Sequence, residues 1–154
     1  MPPLKGIDRG LNGEALKALE ESGHGRRIAV VDASYNIPRW SQAIDYNGKT
    51  SVEALVGILK LVPHEGNILL MKPDSDVTEY GDGPFCDIAA TEVDEALGYP
   101  KQFGILRLDT IENDEEVPGF YSTANDESVD TLFIRTRDTM AFACATFVVG
   151  HSQE

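Results

Sequence analysis

Two side chains able to move protons near neutral pH stand eight positions apart in ESGHGRRIAVVDASYNIP, residues 21–38. His24 is set between Gly23 and Gly25, and Asp32 ends the apolar run Ile28-Ala29-Val30-Val31. A histidine just past a helix C-terminus meets the negative end of the macrodipole and nearby carbonyls, which favours imidazolium and makes it a proton donor at physiological pH. The same position also suits a histidine that only caps the helix. An aspartate at the carboxyl end of a buried strand lies where open α/β sheets collect ligands. There it can accept hydrogen bonds from a polyol or serve as a base, or it can do no more than close an Asx turn on Ser34 or Tyr35.

Both roles depend on the elements around them. In LNGEALKALEESG, Asn12 is a cap, Leu11 and Leu16 have the spacing of a hydrophobic staple, and Gly23 is a left-handed stop, which predicts a helix over 13–22. The run 28–31 is continuously apolar and β-branched, the pattern of a strand covered on both faces. After the Asn47-Gly48 turn, Thr50-Ser51-Val52-Glu53 reads as a capping box opening a helix to about 61. Segments 67–71, 104–108, 131–136 and 143–149 read as further strands, and Thr91-Glu92-Val93-Asp94 as the start of another helix. The stretches 73–84 and 112–116 have no apolar period and read as loops. Strands alternating with helices predict an α/β domain with a central, mostly parallel or mixed sheet, and 154 residues suit a single domain over 1–154.

Composition narrows the partners. Twenty-six acidic against 13 basic residues give a net charge of -13, which repels nucleic-acid phosphates and anionic membranes, so a neutral ligand is expected. The start MPPLKGIDRG has no signal-peptide pattern and no apolar run is long enough to span a bilayer, so a cytoplasmic protein is expected. Cys86 and Cys144 form no Cys-x-x-Cys or Cys/His cluster, so neither a metal site nor a redox pair is expected.

Leu4-Lys5-Gly6-Ile7-Asp8, then Ala15-Leu16-Lys17-Ala18-Leu19 leading to Gly23-His24-Gly25 and Ile28-Ala29-Val30-Val31-Asp32-Ala33 with Pro38 beyond, resembles the opening of the D-ribose pyranase and L-fucose mutarotase family, and more its fucose branch. Thr136-Arg137-Asp138-Thr139-Met140-Ala141-Phe142-Ala143-Cys144 with Gly150 resembles that family's closing Thr-Gly-Glu, Tyr-x-Asn and Gly pattern. The resemblance covers essentially the whole chain, with an insertion around 110–130. It implies a three-layer α/β/α sandwich in a ring-shaped homo-oligomer, commonly a decamer, that interconverts anomers or ring forms of a monosaccharide. It places the catalytic histidine on His24 and a ligand-binding aspartate on Asp32.

That chemistry suits these residues. Opening a cyclic hemiacetal removes a proton from the anomeric hydroxyl and delivers one to the ring oxygen, and closing from the other face reverses both, so acid/base groups suffice without metal or cofactor. Residues 24 and 32, if extended, stand up to about 26 Å apart. Either 24–27 fold back, or the two side chains reach one pocket from neighbouring subunits, the arrangement favoured here. The closing segment departs from the family, with Phe142 and Cys144 standing where it has tyrosine and asparagine. Two lost hydrogen bonds at roughly 1 to 3 kcal/mol each weaken binding of the usual sugar. The substrate-binding candidates are therefore Asp32, Phe142, Cys144 and Arg137, with Tyr35, Arg39 and Trp40 as further replacement contacts. The alternative is a non-catalytic sugar-binding or regulatory module of the same fold.

Overall fold

The computed structural model of the chain describes residues 10–72, 84–98, 105–109, 119–140 and 143–150. Among them the elements run α1 (Gly13–Glu21), β1 (Arg27–Val31), β2 (Gln42–Asp45), α2 (Ser51–Leu59), β3 (His64–Lys72), α3 (Pro84–Leu97), β4 (Ile105–Asp109), α4 (Phe120–Ala124), β5 (Thr131–Arg135) and β6 (Ala145–Val149). The two caps read from sequence are present: Asn12 accepts from the Ala15 amide at 2.8 Å, and Thr50 from the Glu53 amide at 3.1 Å. The return arm of the second cap goes one residue further out, with Glu53 accepting from the Lys49 amide.

Six strands among the described residues form one mixed sheet in the order β2-β5-β1-β6-β3-β4. β1 runs parallel to β5, β5 to β2, and β3 to β4, while β6 is antiparallel to both β1 and β3. The carboxyl ends of β1, β2, β3, β4 and β5 therefore lie at one end of the sheet, together with the start of β6. The predicted α/β class and mixed sheet are what the chain adopts.

Alternation along the strands builds two cores. Ile28, Val30, Leu132, Ile134, Ile68, Leu70, Ala145 and Phe147 pack with the apolar stripes of α1, α2 and α3. Ala29, Val31, Phe133 and Met71 turn the other way, toward Tyr35, Cys144 and the Phe120 and Ala124 side chains of α4. The sheet is thus the middle of three layers, with a thin third layer.

Several elements differ from the sequence reading. β2 was not expected, because only Ile44 of its four residues is buried. Nor was α4, five residues long. α3 begins at Pro84, two turns before Thr91, with Phe85, Cys86, Ala89, Ala90 and Val93 on its buried side. Proline is preorganised for a first helical turn, and the cap-like Thr91-Glu92 lies inside the helix. β3 starts three residues earlier than expected, and Gly66 at φ 70° lies within its register shift. The left-handed residue after α1 is Gly25, at φ 92°, rather than Gly23; the helix ends on an extended Ser22.

Candidate functional site

Asp32 follows β1 directly and is only 8% exposed. Its Oδ1 accepts from the Ser34 amide and hydroxyl, both at 3.0 Å, so the Asx turn is present. The Cys144 thiol donates to its other oxygen, Oδ2, at 3.6 Å. The carboxylate is thus pinned by the turn on one side and faces a cleft on the other.

That cleft, about 530 Å³, is lined by Asp32, Ser34, Tyr35, Asn36, Met71, Tyr121, Asn125, Thr139, Met140 and Cys144. Its place outside the strand carboxyl ends is where α/β sheets bind small molecules, and its size is within the range of about 300 to 1,000 Å³ usual for them. Burial, and then the neighbouring Asp32 charge, push the Cys144 thiol well above its ordinary pKa. The sulfur is therefore a protonated donor rather than a nucleophile. Burial likewise raises the Tyr35 phenol, which donates to Asn125 Oδ1 at 2.6 Å.

One wall hangs on Asp138, also 8% exposed. Its Oδ2 accepts from the Ser51 amide at the start of α2 and its Oδ1 from the Met140 amide, at 2.9 and 2.8 Å. Its carbonyl accepts from the Ala33 amide. The segment carrying Thr139 and Met140 is thereby tied both to a helix N-terminus and to the residue after Asp32.

His24 is at the other end of the molecule. β1, five residues long, separates it from Asp32 and spans roughly 16 Å at about 3.3 Å per residue. The chain does not fold back: the Gly25 amide donates to Val149 at the far end of β6, and the Arg26 amide closes a turn onto Gly23. The His24 ring, 41% exposed, places Nε2 3.0 Å from Glu65 Oε2 near the start of β3. One copy therefore unites Asp32 with Cys144 and carries His24 on the opposite rim.

Arg137 is exposed and lines a separate cavity of about 320 Å³ beside Arg135, Asp45 and Tyr46. Phe142 lies outside the described residues. Trp40 is 62% exposed and lines a third groove with Glu127 and Asp130. Among the described residues no three His, Cys, Asp or Glu side chains are grouped to hold a metal ion, and no helix is long and apolar enough to cross a membrane.

Glu65, Asn125 and Met140 did not stand out in the sequence as site residues, whereas Phe120-Tyr121 resembles an aromatic pair of the family. Tyr121 and Asn125 have the i, i+4 spacing that places two side chains on one helical face, yet a five-residue helix carries no apolar period to reveal it. Glu65 is one acid among many in this chain.

The fold has relatives among solved structures. A fucose mutarotase from Streptococcus pneumoniae, solved in complex with L-fucose, superposes with a TM-score of 0.72 at 24% identity, over 97% of this chain and 100% of that one. FucU from Bifidobacterium longum gives 0.72 at 21%, with the same coverage. RbsD from Bacillus subtilis, complexed with D-ribose, gives 0.63 at 14%, over 93% and 95%. No curated protein sequence matches the chain. The model of the RbsD / FucU transport protein family matches residues 5–152, nearly the full length, and the chain belongs to that family.

Proposed function

We propose that the protein interconverts anomers or ring forms of a monosaccharide by acid/base proton transfer, with the sugar held in the Asp32 cleft and His24 delivered to it by a neighbouring copy in a homo-oligomer. The observation that carries this reading is the placement of the Asp32 carboxylate. Asp32 has one oxygen fixed by the Asx turn and one directed to Cys144 in a cleft otherwise lined by neutral groups. A carboxylate so placed orients sugar hydroxyls without taking part in an ion pair.

His24 then exchanges protons with the ring oxygen, and the Glu65 carboxylate fixes the ring and its proton, as acid partners of a catalytic imidazole do. The anomeric hydroxyl gives its proton to the Asp32 carboxylate as the ring C–O bond breaks, the ring oxygen takes one from His24, and closure on the other face returns both. Asp32, Cys144 and, from the closing segment, Phe142 form the substrate side. Arg137 faces its own cavity and has no part in this reading.

One observation favours the second reading, a binding module. Asp32 is the lone carboxylate among the described residues of the cleft, and no imidazole is among them. A copy without its neighbour binds sugar but lacks the acid.

Saturation-transfer NMR on a panel of aldoses, with wild type beside His24→Ala, tests the proposal. Anomer exchange faster than in buffer, lost in His24→Ala with sugar binding retained, is the expected result. Binding without enhanced exchange in the wild type replaces the enzyme with the module. Neither binding nor exchange overturns both.

A further inference from the structure

The C-cap of α4 sets Asn125 on the wall of the Asp32 cleft, its amide donating to the Tyr121 carbonyl at 2.9 Å. Its carboxamide is held by one bond, from the Tyr35 hydroxyl to Oδ1, 2.6 Å long. In that contact the hydroxyl donates and the carboxamide oxygen accepts. Tyr35 is packed among three aromatic rings. It lies 5.6 Å from the Tyr121 ring and 5.8 Å from Phe133, with Phe120 edge-on at 6.4 Å. The carboxamide is thereby fixed one way round. Its carbonyl accepts from Tyr35, and among the described residues no hydrogen bond is made by Nδ2.

We propose that Asn125 is a specificity-determining residue of this cleft, its Nδ2 donating to a sugar oxygen, and that Tyr35 is the positioning residue that holds it in that orientation. This rests on the reading of the cleft as a sugar site. The cleft then offers a fixed donor at Asn125 and a fixed acceptor at Asp32, so it reads both the presence and the polarity of substituents. An amide aimed this way rejects an analogue lacking the oxygen, because a desolvated N–H is left unpaired.

The decisive variant is Asn125→Asp, which keeps size and the acceptor for Tyr35 but removes the donor and adds a second negative charge to the cleft. With L-fucose and D-ribose as probes, it is expected to raise KM about tenfold or more with kcat little changed. Tyr35→Phe, which frees the amide to turn, is expected to raise KM about threefold. In 15N-labelled wild type, the Asn125 side-chain amide signal, assigned by its loss in Asn125→Asp, is expected to shift on sugar titration.

A folded Asn125→Asp protein with wild-type KM overturns the inference while leaving the sugar reading intact. So does a fall in kcat alone with the amide signal unmoved. Should Asn125→Asp not fold, Asn125→Ser assigns the signal instead, and a signal unmoved at saturating sugar overturns the inference. A wild type that neither binds nor exchanges any sugar removes the sugar reading, and this inference with it.

Discussion

Cys144 shows how one residue changes meaning with its surroundings. A cysteine near an aspartate invites a catalytic reading, but burial and the Asp32 charge both hold the thiol in its neutral form, and its hydrogen serves the carboxylate. Cys86 is equally enclosed, donating to the Met71 carbonyl at 3.0 Å. Neither thiol is expected to react with iodoacetamide at pH 8 in the native protein, and both are expected to react in guanidinium, which mass spectrometry resolves. The same shift has a stability consequence. The unfolded thiol ionises near its ordinary 9.0 and the folded one only well above it, so the folded state holds the extra proton in that window. Stability is full below about pH 9 and falls as pH rises beyond it. Denaturation midpoints compared at pH 7.5 and pH 10 are expected to drop less in Cys144→Ala than in wild type. At this scale His24 and Asp32 were legible because their types and flanks are distinctive. Glu65 and Asn125 were not, since their significance lies in partners 41 and 90 positions away.

Among the elements, α2 and the segment after β5 depend on each other. Asp138 accepts from the first amide of the helix and from Met140, so one carboxylate caps a dipole and anchors a cleft wall. Asp138→Ala leaves one buried and one half-buried amide unpaired and is expected to cost about 3 kcal/mol. Thr50→Ala removes one side-chain cap at an exposed bond and is expected to cost about 1 kcal/mol. Thermal melts give the ranking, and sugar affinity separates the two further: it falls in Asp138→Ala and holds in Thr50→Ala. Equal losses in both measurements refute the anchoring role. β1, β5 and β6 could be read from sequence because strands covered on both faces are apolar throughout. β2 could not, because an edge strand with one buried side chain has almost no pattern, and the Asp138 tether could not, because its partner Ser51 is 87 positions back.

For the molecule as a whole, the length of β1 sets the terms. On the proposed function, an imidazole on one rim and a carboxylate cleft on the other become one site where a second copy sets its His24 rim against the Asp32 cleft, in an isologous pair or in a head-to-tail contact whose rotation closes a ring. Co-expressed His24→Ala and Asp32→Asn chains test this: each is expected to be inactive alone, while random co-assembly restores an intact pairing at about a quarter of contacts. Exchange rates near that fraction support the shared site, and none at all places both groups in a single copy or removes His24 from the reaction. The fold class was legible in the alternation of strands and helices. The separation of the two candidates was legible only as a bound on chain length, because a sequence does not say whether a glycine-flanked segment doubles back.

On the proposed function, a strand that holds two half-sites apart makes turnover a property of contacts rather than of chains. Dilution is then expected to act as an inhibitor would, with rate per milligram declining once subunits part.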